Sequence, residues 1–299
     1  MSLKKPAASE PSNIVIMASG GFSAEIAPLG AELRRLTTPD GTELLWNGDP
    51  AFWTGRAPVL FPIIGAVTGD HYHHNGETYT LPRHGFARRR AFTLTEHQSD
   101  RATFRLEADD ETRAAYPFDF ALELTYAMAD RGIAVTALVR NEGTNEMPFS
   151  LGFHPALRWP FEPGTSRGAY RLVFDTDEVG PVSRLDGTGV IVRTEPSPIH
   201  DRVLKLDDAL FVDDAMVLAG LASRAVDFGA PGHRNLTVSF PAFPDLGIWT
   251  KPGADFLCIE PWQGHADPAG FTGDLAEKPG VIVLKAGTFW HGRMTIDLT

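Results

Sequence analysis

Three side chains in this 299-residue chain stand out for their chemistry: Glu260, in Cys258-Ile259-Glu260-Pro261-Trp262, and two histidines far upstream. These are His84, in Arg83-His84-Gly85-Phe86-Ala87-Arg88, and His154, in Leu151-Gly152-Phe153-His154-Pro155. A carboxylate and two imidazoles, each beside Gly or Pro, can form one acid/base site. A carboxylate serves as a base when partly desolvated, and an imidazole, with an unperturbed pKa of about 6.5, titrates near neutral pH. Glu260 follows the apolar run Phe256-Leu257-Cys258-Ile259, which reads as a buried strand, and Pro261 predicts a forced bend directly after it. A charged group at such a place calls for a reason.

At these residues the chain resembles the galactose mutarotase-like superfamily, the aldose 1-epimerases, and within it the LacX-like branch. The resemblance runs in order from Ala27-Pro28-Leu29-Gly30-Ala31 through Trp53, Ala57-Pro58-Val59-Leu60-Phe61-Pro62, the His84 segment and Tyr116-Pro117-Phe118. It continues through Gly152-Phe153-His154-Pro155 and Ile248-Trp249-Thr250-Lys251 to Ile259-Glu260-Pro261-Trp262. The implied reaction interconverts the anomers of an aldose. It removes the proton of the C1 hydroxyl, protonates the ring oxygen so that the ring opens, and reverses both steps on the other face of the carbonyl. One base and one acid suffice, so no cofactor, metal or covalent intermediate is expected. By motif, the resemblance implies Glu260 as the base, His154 as the acid at the ring oxygen, and His84 as the group that holds and polarises the sugar. It further implies sugar contacts from Asp214 (with Asp213 beside it as the competing candidate), Arg56, Arg88 and Trp262, whose aromatic face can stack on a pyranose. Trp53, Trp159 and Trp249 are expected in the core, and Lys278 in a structural ion pair. In two places the chain departs from its relatives: Ala66 stands where many carry arginine, and Arg83 where glutamine is common.

Other readings of the same residues remain open. A hexose 6-phosphate would draw on Arg56, Arg83 or Arg88 as its phosphate partner. A non-catalytic sugar-binding or sensor domain would use the groove without turnover. A glycosidase would pair Glu260 with Asp214 or Asp267. His71, His73 and His74 invite a metal reading, but two histidines on one strand face do not complete a ligand set. Cys258 shares strand parity with Glu260 and reads as a buried, inert thiol.

The elements that must position these groups are strands. Twenty-nine glycines and 23 prolines punctuate the chain throughout, and no long helical period survives between them. Strands are expected at 14–17, 22–26, 33–37 and 43–46, and in a hairpin at 71–81 around Asn75-Gly76. Further alternating runs cover 102–108, 120–127, 133–140, 170–174, 203–206, 216–218, 236–240, 281–284 and 294–298. Asp110 to Ala115 alone looks helical, with acids in its first turn and Pro117 beyond its end. These patterns give an all-β fold, and the resemblance implies the galactose mutarotase-like supersandwich of two large, mostly antiparallel sheets. Residues 1–13 read as a disordered tail or cloning remnant, and 14–299 as one domain.

A formal net charge of -11 argues against a nucleic-acid partner. With one cysteine there is no internal disulfide, and no apolar run reaches membrane-spanning or secretory length. A soluble cytoplasmic protein, monomeric or homodimeric, with a small sugar as its partner is the expectation.

Overall fold

The computed structural model describes residues 13–299, so the expected tail lies outside the described residues except for Asn13. Strand alternation sets the architecture. In Arg101–Glu107, Ala102, Phe104 and Leu106 are buried while the intervening side chains face outward, the signature of a strand with one face on a core. Gly132–Asn141 repeats that pattern and pairs antiparallel with Phe120–Ala129 on one side and Phe289–Leu298 on the other. These strands form the middle of a nine-stranded sheet. A second sheet of eight strands is built around Asp245–Trp249 and Phe256–Gln263. Smaller sheets are added by Val15–Ser19, Phe22–Ala27 and Glu32–Thr37, and by two two-stranded pairs. This is the expected all-β supersandwich.

One large buried cluster joins the two main sheets. It contains Leu122, Leu124, Val135, Ala137 and Val139 from the first sheet and Ile248, Leu257 and Ile259 from the second. Because side chains alternate, Phe256, Cys258, Glu260 and Trp262 must project from the opposite face of the second sheet, and all four are buried there as well. That second buried face holds the candidate site. Among the described residues no helix is long and apolar enough to cross a membrane.

Local expectations are met where turn or cap chemistry is explicit. The hairpin His71–His74/Glu77–Thr80 turns at Asn75 and Gly76, with φ of 50° and 83°, the left-handed pair of a tight hairpin turn. The helix Asp110–Ala115 is capped by Asp109, whose side chain accepts from Thr112 N–H. Two expectations need correction. The strand does not stop at Glu260: Phe256–Gln263 runs through Pro261. Neighbours on one edge pair up to Cys258 and resume only at Trp262, so proline sits at a break in the ladder. Residues 43–46 form only isolated bridges, from Glu43 to Thr37 and from Leu45 to Leu157. The strands Met147–Phe149, Val182–Leu185 and Ile191–Glu195 were not expected, being three to five residues long without clear alternation.

Candidate active site

The break in the ladder at Pro261 is where the acid/base groups meet. On the neighbouring edge, Leu151–Phe153 ends and Ala156–Arg158 begins, with His154 and Pro155 between them. The backbone N–H of His154 donates to the carbonyl of Pro58 at 3.1 Å, which fixes the kink. Its Nε2 lies 3.2 Å from Oε2 of Glu260. The imidazole stacks on Trp53, with ring centroids 4.9 Å apart and planes at 26°, and meets the edge of Trp249 at 5.9 Å. Glycine makes room for the floor of the site. Gly247 is the register partner of Glu260 and Gly152 that of Trp262. A Cβ at either glycine would collide with the Trp262 ring, so the indole lies flat across both strands.

His84 comes from a loop. It has φ of 66°, as does Gly85 after it, a left-handed conformation that costs a non-glycine residue about 1–3 kcal/mol and is tolerated where the surroundings impose it. Those surroundings are reciprocal hydrogen bonds with Gly65: His84 N–H donates to its carbonyl at 2.8 Å, and Gly65 N–H donates to Nδ1 of the ring at 3.1 Å. Gly85 cannot be replaced without conflict, since a Cβ there would strike the Phe61 carbonyl. Because Nδ1 accepts a backbone N–H, the neutral ring carries its proton on Nε2. His84 is therefore built as a fixed hydrogen-bond donor. Its ring meets that of His154 edge to face at 5.9 Å.

Glu260, His154, His84, Asp214, Arg88 and Trp262 line one cavity of about 300 Å³, together with Arg83, Trp53 and Trp249. That volume is at the small end of small-molecule sites. Arg56 is elsewhere: its guanidinium donates to the Arg34 carbonyl at 3.0 Å and lines a different cavity with Arg35, Trp46 and Arg158. Its backbone N–H is held by Oε1 of Glu32 at 2.7 Å. Asp214, and not Asp213, reaches the cavity. Its Oδ2 is 3.4 Å from Nη2 of Arg83, while Asp213 pairs outside with Arg193.

Two tryptophans expected in the core, Trp53 and Trp249, belong to the cavity wall, whereas Trp159 is a core residue at 1 % exposure. Parity was the missed signal for Trp249, which lies on the groove face with Gly247, opposite Glu260. Lys278 is buried in an ion pair with Asp267 at 2.7 Å. Since Asp267 also accepts from Thr68 N–H at 2.9 Å, its lone pairs are committed to the scaffold. His71 and His73 stay on the exposed hairpin, bonded to Thr80 and Thr78.

Burial dominates the electrostatics. Glu260 is 1 % exposed, and desolvation pushes its carboxyl well above the ordinary value, with the Arg83 guanidinium opposing and Asp214 reinforcing the shift. Desolvation, then the positive charge of Arg88, pulls His154 down to about 3. His84 falls well below its usual value for the same first reason, then through His154 and Arg83. Arg88 is lowered by burial and its arginine neighbours to about 10 and stays charged at neutral pH. Nδ1 of His154 has no hydrogen-bond partner among the described residues, and the Glu260 carboxyl has Nε2 of His154 at 3.2 Å and the Trp262 indole N–H beside it.

Comparison with known proteins bears on the family and the fold. LacX (chromosomal) of Lactococcus lactis subsp. lactis is 32% identical over 271 residues, covering 87% of this chain and 91% of that protein. A galactose mutarotase-like protein from Lactobacillus casei ATCC 334 superposes with a TM-score of 0.88 at 31% identity, covering 96% of this chain and all of that one. A galactose mutarotase related enzyme from Lactobacillus acidophilus gives 0.89 at 28% identity over 96% and 97% of the two chains. The sequence model of the family described as Aldose 1-epimerase matches residues 13–297, and with a match of that extent the chain belongs to the aldose 1-epimerase family.

Proposed function

We propose that this protein interconverts the α and β anomers of a free aldose, with Glu260 taking the proton of the C1 hydroxyl and His154 protonating the ring oxygen. The observation that carries the reading is a buried carboxylate 3.2 Å from a buried imidazole at the floor of a sugar-sized cavity. A carboxyl raised above its ordinary value by burial is a better base than an ordinary one. The neutral imidazole by itself is a poor acid. Moving one proton from the Glu260 carboxyl to Nε2 of His154, across their 3.2 Å contact, converts the pair into a carboxylate base and an imidazolium acid with no net change in protons. Sugar hydroxyls and the Arg83 and Arg88 charges then stabilise the carboxylate. Base and acid exchange roles when the ring closes, so each turnover restores the pair. The Nε2–H of His84 donates to the bound sugar, Asp214 accepts from its hydroxyls, and Trp262 offers its face to the ring.

A second reading, turnover of a hexose 6-phosphate, is favoured by one observation: Arg83 and Arg88 both line the cavity. The neutral sugar is preferred because Arg83 already faces Asp214 and Arg88 donates to the Arg83 carbonyl. Freshly dissolved aldoses and aldose 6-phosphates, followed by polarimetry or NMR with and without protein, decide. Accelerated equilibration of a free sugar, unchanged by exhaustive chelation, is expected. A preference for the phosphate that Arg83→Ala or Arg88→Ala abolishes would replace the neutral substrate. Binding without acceleration of any sugar would make this a sensor, and new reducing ends from an oligosaccharide would make it a glycosidase.

A further inference from the structure

Cys258 has no part in the reaction above, yet it stands beside the reacting groups. It shares the groove face of the strand with Glu260 and packs, fully buried, in the cluster that includes Trp53 and Trp249. One donor atom from each of His154, Cys258 and Glu260 lies within 4.8 Å of the other two, the one such grouping among the described residues. We propose that this trio is a binding site for a thiophilic divalent cation, zinc in the first instance, and that its occupation shuts the cavity to sugar.

Tetrahedral zinc, with bonds of about 2.0–2.1 Å to nitrogen and oxygen and about 2.3 Å to sulfur, separates its donors by about 3.3–3.6 Å. The imidazole–carboxylate edge is already at 3.2 Å. The thiolate edges have at most about 1.3 Å to close, from 4.8 Å to roughly 3.5 Å. Both members of the imidazole–carboxylate edge, Glu260 and His154, are buried, and the second ring nitrogen of His154, Nδ1, has no hydrogen-bond partner among the described residues. These residues are 1 % and 6 % exposed. Charge also balances. One thiolate and one carboxylate neutralise a divalent ion, so the complex enters a buried space without net charge, and Arg83 and Arg88 nearby penalise any set that leaves the ion positive. Binding releases the thiol proton and, when Glu260 is protonated, its proton too. A single carboxylate cannot supply the six or more oxygens that magnesium or calcium requires, and the sulfur selects a softer ion. Zinc at this site would occupy both the proposed base and the proposed acid, so the inhibition, but not the binding, rests on the reading given above.

Cobalt(II) is the probe, because a tetrahedral cobalt–thiolate centre absorbs strongly in the visible and near ultraviolet. One equivalent should bind the metal-free protein with a thiolate charge-transfer band, and zinc should displace it. Cys258→Ala should abolish the band, Glu260→Gln should weaken binding by about a hundredfold or more, and His73→Ala on the exposed hairpin should change neither. No thiolate band with the wild type, or a band that survives Cys258→Ala, would overturn the site. So would a signal lost with His73→Ala. If Cys258→Ala fails to fold, Cys258→Ser and Glu260→Gln carry the same test. Should the band appear while metal-free protein turns over no sugar, the site stands and the proposed reaction falls.

Discussion

The outer faces of the two large sheets treat their charges in opposite ways. On the nine-stranded sheet, Arg105 reaches Glu107, Glu123 and Glu142 at the surface, and every member has a partner and access to water. On the eight-stranded sheet, Glu260 is buried 3.2 Å from the neutral imidazole of His154, near that of His84, with no lysine or arginine bonded to it among the described residues. The first arrangement is comfortable and inert. The second is the arrangement that the proposed reaction needs, an acid, a base and a donor held away from water. Asp267 sharpens the contrast, because it is as buried as Glu260 but satisfied by Lys278. Burial alone does not make a carboxylate reactive. The proposed difference lies in the partner, a neutral imidazole for Glu260 and a lysine for Asp267.

The largest effect expected from breaking this contrast is on rate. Glu260→Gln and His154→Asn should each lower turnover of the true sugar by about two to four powers of ten with the fold intact. Stability should move the other way in the first variant. Glu260 has a folded-state pKa raised above 4.5, so the folded protein keeps a proton that the unfolded chain releases, and stability is lost as pH rises from 4.5 through the folded value. Gln does not titrate, so its advantage over wild type should grow above pH 4.5 by up to about 1.4 kcal/mol per pH unit. Denaturant melts of both proteins across pH check this, and a variant that is both inactive and less stable at neutral pH would contradict it.

Satisfying a buried carboxylate has the opposite signature. Lys278→Met leaves Asp267 uncompensated and should cost about 3–5 kcal/mol of unfolding free energy, read from denaturant midpoints. Activity per folded molecule should hold, because neither residue lines the cavity.

Much of this was legible in the sequence. Glu260, His154 and His84 stand out by residue type beside glycine and proline and take their roles from the resemblance to the aldose 1-epimerases, and the structure puts the three together. What local reading could not supply is which side chains cross between loops. Arg56 sits next to a motif yet lines a different cavity, its backbone N–H held by Glu32, a contact 24 residues distant. Trp53 and Trp249 were assigned to the core because large aromatics usually belong there, but this sheet buries both faces, and composition does not separate a core face from a roofed groove. Pro261 reads as a forced bend directly after Glu260. Only the pairing of two other short strands shows that the ladder has a gap for it.

The imidazoles give a smaller, pH-dependent effect. His154 has a folded value of about 3 against 6.5 in the unfolded chain. Between these limits the unfolded chain binds a proton that the folded one refuses, so stability falls on acidification below pH 6.5. His84 adds to the same slope. His154→Asn should flatten the acid limb by up to about 1.4 kcal/mol per pH unit, measured as unfolding midpoints between pH 6.5 and 4. An unchanged slope would mean that His154 titrates normally and that its neutral, buried state is wrong.

The smallest effect belongs to the exposed face, and it tests the comparison from its quiet side. Arg105 touches three carboxylates, more charged partners than any group in the cavity, and a count of contacts would rank it first. Each of those partners is at least a quarter exposed, up to 62% for Glu107, so water and salt already screen them. Exposed pairs of this kind typically contribute about 0.2–1 kcal/mol. Arg105→Gln should therefore cost at most about 1 kcal/mol at low salt, less in high salt, and leave turnover unchanged. Paired denaturation curves at low and high ionic strength measure both. A loss that matched Lys278→Met and persisted in salt would mean that the surface network holds the nine-stranded sheet together, and the distinction between a satisfied and a reactive face would no longer rest on burial.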